Sequence, residues 1–131
     1  MRTLRWVVVS AMVVGGASAV VAHEGHEEAV PENTSTEQVL TGEVVDVFCY
    51  LGHGEKGRGK DHISCAQHCI KNGLPVAIKV GDQLYLAAMA DHKPANESLV
   101  EFAGQQVTVH GQVMEADGQH LIAISSVKKA E

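Results

Sequence analysis

Aromatic residues are scarce in this chain: one tryptophan, two tyrosines and two phenylalanines among 131 residues. Basic residues are also outnumbered, ten against sixteen acidic ones, for a net charge of −6. A chain with so few cations and stacking groups repels phosphate backbones, which argues against nucleic acid as a partner. Cysteines number three. No CxxC pair occurs, and no thioredoxin-like strand–helix–strand pattern leads into the cysteines, so the usual dithiol redox motif is missing. In Cys65-Ala66-Gln67-His68-Cys69 the last cysteine is followed by Ile70 rather than histidine, which excludes a covalent haem attachment site. The stretch GEKGRGKD, from Gly54 to Asp61, has the spacing of a phosphate-binding loop. Asp61, however, stands where a magnesium-binding Ser or Thr is needed, and its charge repels phosphate.

The chain also lacks an apolar run long enough for a membrane span of about 20 residues. Its longest is the short stretch Trp6–Val14, which follows Arg2 and Arg5 and gives way to small residues ending in Val20-Val21-Ala22. That order matches a secretory signal peptide over residues 1–22, cleaved after Ala22 or, as second choice, after Ala19; an uncleaved anchor is the alternative. Cleavage leaves a single domain of about 109 residues with no membrane span. Losing Arg2 and Arg5 takes the ten basic residues to eight against sixteen acidic ones, a net charge near −8. The expected location is periplasmic or secreted.

Residues 23–38 (HEGHEEAVPENTSTEQ) are acidic and have little to bury, so they read as a disordered tail. His23 and His26 could bind a divalent metal weakly. A newly exposed His23 would offer both its α-amine and its imidazole to a copper ion. A solvated leader without a specific role is the plainer alternative.

The folded domain is expected over residues 39–131. Val39–Tyr50 is rich in β-branched residues and reads as a first strand that carries Cys49 at its end. Gly52–Lys60, with four glycines in nine residues, reads as a loop. Asp61 is expected to cap a helix, and Asn72-Gly73-Leu74-Pro75 to stop it. A hairpin turning at Gly81-Asp82, a short helix within Glu97–Ala103 and a second hairpin turning at Asp117-Gly118 complete the reading. The expectation is a mainly β fold: a small five-stranded antiparallel barrel, with one capped helix after the first strand and a short helix before the fourth.

The opening TGEVVDVF and the run from Ser98 to Val127 resemble strands of OB-fold domains. The combination of CYLGHG, DHISCAQHC and GLPV resembles a small exported bacterial domain of uncharacterised role. The resemblance implies an OB-like barrel and supplies no activity. In the usual OB order the main helix lies between the third and fourth strands, whereas the cysteine-bearing helix here follows the first.

All three cysteines and three histidines fall between Cys49 and Cys69. At helical spacing, His62, Cys65 and Cys69 share one arc over two turns, and Cys49 can be carried over that arc by its strand. Such a Cys3His set suits zinc or, with fewer ligands, copper(I). His53 and His68 are additional candidates. The leading expectation is therefore an exported copper- or zinc-binding domain for metal handling or sensing, with binding rather than catalysis as its role. Its expected partners are the metal ion and another periplasmic protein. The alternative is a structural staple: a disulfide from Cys49 to Cys65 or Cys69 in a module that binds no metal. Thiol–disulfide exchange is a third class. His92, His110 and His120 read as solvated residues, and Met89 and Met114 as core filling.

Overall fold

The computed structural model describes residues 35–131. The expected signal peptide and most of the expected tail, including His23 and His26, lie outside the described residues.

Strand β1 (Thr36–Asp46) starts three residues before Val39, and its first residues pair with the fourth strand. Its inner side chains, Val44 among them, are fully buried. The strand ends at Asp46, four residues earlier than the β-branched run implies. The Asp46 carboxylate accepts the free amides of Phe48 and Cys49, each at 3.1 Å, and thereby caps helix α1 (Val47–His53). Cys49 therefore stands on a helix and not at a strand end. Two short 3-10 turns, Gly54–Gly57 and Lys60–His62, lead into helix α2 (Ile63–Lys71).

The glycine-rich segment is not a loose loop. The buried Glu43 carboxylate of β1 accepts bonds from the Arg58 guanidinium and from the Gly59 amide, the latter at 2.6 Å. Arg58 also pairs with Glu55, which holds the Glu55 carboxyl below its ordinary value and raises the guanidinium. Glu43→Ala would remove the anchor that ties Arg58 and Gly59 to β1 and release the segment. Hydrogen bonds to charged groups contribute about 1.5–3 kcal/mol each, so a loss of about 2–3 kcal/mol is expected in this partly exposed pair. It would be read as a lower urea midpoint at unchanged slope, and an unchanged midpoint would show that the segment does not depend on Glu43.

Asp61 lies in the second 3-10 turn and caps nothing, and α2 begins after His62 without a side-chain cap. The predicted stop is present. Gly73 takes a left-handed φ of 87°, its amide bonds to the Ile70 carbonyl, and the Leu74 amide bonds to the Cys69 carbonyl. The Asn96 amide group adds bonds to the carbonyls of Ile70 and Leu74, so the far side of the domain also fixes the end of α2.

Strands β2 (Val76–Val80) and β3 (Gln83–Met89) form the first hairpin. The short helix α3 (Asn96–Leu99) precedes β4 (Gln106–Ala116), and β5 (Gln119–Lys129) follows across the Asp117-Gly118 turn, where both φ values are positive. The strands close into a barrel in the order β1-β2-β3-β5-β4. The expectation of an all-antiparallel barrel is corrected at one seam, because β3 and β5 run parallel. The reason is one of parity: strand directions cannot alternate around a closed ring of five, so at least one neighbouring pair must run parallel.

Ile78, Ile122, Ile124, Val107 and Val109 fill the interior, joined by Ala66 and Ile70 of α2 and Leu99 of α3. Helix α2 is thus part of the core, which gives the cysteines it carries a fixed base. No helix among the described residues is long and apolar enough to cross a membrane.

Candidate metal centre

Two helices meet at the cysteines. On α1, Asp46 fixes the first turn and buries Cys49. Gly57 lies so close above that a Cβ there would strike the Cys49 carbonyl, so the first 3-10 turn packs directly on α1. On α2, Ala66 and Ile70 point into the barrel core, and this turns Cys65 and Cys69, one helical turn apart, toward α1.

The Cys49 sulfur lies 3.9 Å from the Cys65 sulfur and 3.9 Å from the Cys69 sulfur. All three sulfurs lie within 4.8 Å of one another, close enough to hold one metal ion. Metal–sulfur bonds of about 2.3 Å place two thiolates about 3.8 Å apart on a tetrahedral ion and about 4.0 Å apart on a trigonal one. The observed spacing fits both and is nearly twice a disulfide bond of about 2.05 Å. All three cysteines are free thiols, with Cys49 buried, Cys69 half-buried and Cys65 exposed.

A second group overlaps the first. A ring nitrogen of His62, a carboxylate oxygen of Asp46 and the Cys49 sulfur also lie within 4.8 Å of one another. His62 therefore stands on the Asp46 side of Cys49, and the four residues expected as one Cys3His set fall into two sets that share Cys49. The 3-10 turn causes this. It winds more tightly than the α-helix assumed from spacing, and so takes His62 off the arc of Cys65 and Cys69. His53 and His68 are exposed and belong to neither group.

Asp46 was not among the residues singled out in the sequence. One signal was present: an acidic residue inside a β-branched run is poor strand material and a favoured helix cap.

Electrostatics keep the Cys49 and Cys69 thiols protonated while no cation is bound. The Asp46 carboxylate beside Cys49, together with burial and the two neighbouring thiols, holds the Cys49 thiol far above its ordinary value. Burial, reinforced by Asp46, raises Cys69 as well. A cation placed among the sulfurs would reverse this preference, since thiolates bind metal and thiols do not. Low-pKa nucleophilic chemistry is disfavoured by the same arrangement.

Comparison of the chain with protein-family models, curated proteins and solved structures gives no match. The class is accordingly defined by its own geometry: a five-stranded mixed β-barrel with a three-cysteine cluster in the connection between β1 and β2.

Proposed function

We propose that this domain binds a copper or zinc ion through Cys49, Cys65 and Cys69, for metal handling or sensing in the periplasm. The observation that carries the reading is the triangle of free sulfurs on two separately anchored helices, at a spacing suited to metal–thiolate bonds. Copper(I) is satisfied by soft thiolates in low coordination number, whereas zinc takes a fourth donor. Export rests on the N-terminal pattern of charge, apolar run and small residues.

Handling or sensing is favoured over a purely structural ion by the exposure of Cys65, which leaves one corner of the triangle open to ligand exchange. Phe48 and Leu51, 66% and 71% exposed on the helix that carries Cys49, offer an apolar contact for a partner protein. The strand order, with one parallel seam, supports the OB-like reading of the barrel. In that fold the connection between the first two strands commonly contributes to binding.

The test is a titration of the reduced protein with copper(I) and with zinc, monitored by ultraviolet thiolate-to-metal charge-transfer absorption. The expected result is a saturable band that is weakened when any of the three cysteines is replaced by serine. A protein that takes up neither ion, and shows one disulfide and one free thiol after denaturation, would instead be a stapled module.

A further inference from the structure

We propose that the centre holds two metal ions, with the Cys49 thiolate bridging the three-sulfur site and a second site made by Asp46, Cys49 and His62. The proposal rests on the metal-binding reading of the cysteines and adds to it a stoichiometry, a second ligand set and a role for Asp46.

Three observations converge on this point. Donor atoms of Asp46, Cys49 and His62 lie within 4.8 Å of one another, and only Cys49 is shared with the sulfur triangle. The His62 Nε2 is closed off from solvent and has no hydrogen-bond partner. Asp46 is wholly buried, and each of its oxygens accepts one backbone amide. Among the described residues, no ion pair reaches this carboxylate. A buried carboxylate with no counter-ion and a histidine with a buried, partnerless nitrogen make a donor set suited to a cation.

Charge points the same way. Three thiolates and Asp46 carry four negative charges at one place. A single divalent ion leaves two of them uncompensated and a single copper(I) leaves three, while two divalent ions neutralise the cluster. Asp46 and Cys49 are buried, so uncompensated charge at this end of the cluster is costly and a second cation would offset it. A thiolate sulfur has lone pairs enough to bridge. The oxygen, nitrogen and sulfur donors of the second set suit a borderline divalent ion such as zinc, not copper(I).

Native mass spectrometry of the reduced protein titrated with zinc, combined with alkylation of unprotected thiols, tests this directly. The wild type is expected to carry one more zinc than either His62→Ala or Asp46→Asn. Asparagine is itself a good helix cap, so the second variant retains the start of α1. In both variants the remaining ion should still shield all three thiols from alkylation. This distinguishes it from an ion held elsewhere, for example by His23 and His26. A wild type with a single zinc overturns the proposal and leaves the three-cysteine site standing. Equal zinc content in wild type and variants overturns it too, as do variants whose thiols become unprotected. A wild type that binds no zinc and no copper removes the metal reading itself.

Discussion

Replacing Cys49 with serine is expected to reduce metal affinity more than replacing Cys65 or Cys69. Structural zinc sites with four protein ligands bind with about 10–16 kcal/mol, or about 3–4 kcal/mol per ligand. Loss of one thiolate then corresponds to roughly 10²–10³-fold in affinity, and this is the effect expected for Cys65→Ser and Cys69→Ser. Cys49 has no substitute. It lies 3.9 Å from both other sulfurs and is the one residue common to both ligand groups. Cys65, exposed at the open corner, can be replaced in part by water or buffer. Cys49→Ser is therefore expected to exceed 10³-fold, measured by competition against a chelator of known affinity. Serine retains the backbone amide that bonds to Asp46, so helix α1 should persist, and circular dichroism of the metal-free variant checks this. A Cys49→Ser affinity within tenfold of wild type would mean that the sulfur triangle is not the binding site.

The second large effect is on pH. Asp46, burial and the neighbouring thiols raise Cys49, and burial raises Cys69, so both are neutral thiols in the metal-free fold at pH 6–8. Each must lose its proton when a metal binds. At least two protons released on loading give an apparent affinity that rises at least about 100-fold per pH unit across this window. Competition titrations at three pH values measure the slope, and a pH-independent affinity would place the ion on other ligands. For the metal-free fold the linkage has the opposite sign. A folded-state pKa above the unfolded value, about 8.5 for cysteine, favours the fold below that pH, where both states hold their protons. The advantage is lost as the pH rises above about 8.5, because the unfolded chain ionises first. Metal-free protein should thus melt at progressively lower temperature above pH 8.5, while metal-loaded protein should not.

The strands and turns were largely legible in the chain. The β4–β5 hairpin follows from alternating valines around Asp117-Gly118, and the end of α2 from Asn72-Gly73-Leu74-Pro75, because both depend on local backbone preferences. The errors cluster between Asp46 and His62. There a β-branched run hides a helix cap, and a glycine-rich stretch is held down by the distant Glu43. Helical spacing drew His62 onto the arc of Cys65 and Cys69 because that projection assumes an unbroken α-helix, and the turn before Ile63 is 3-10.

By itself, the amino-acid sequence determined the supply of ligands: three thiols in an odd count, histidines among them, and a helix with a glycine stop that places two sulfurs one turn apart. These are matters of composition and local conformation. Only the tertiary structure decided how the ligands are divided. The packing of α2 on the barrel core turns Cys65 and Cys69 toward α1, and the Asp46 cap brings Cys49 to meet them. The tighter turn leaves His62 with the Asp46 carboxylate. Contacts across 16 and 20 residues depend on how separately folded elements dock, and no local pattern encodes that.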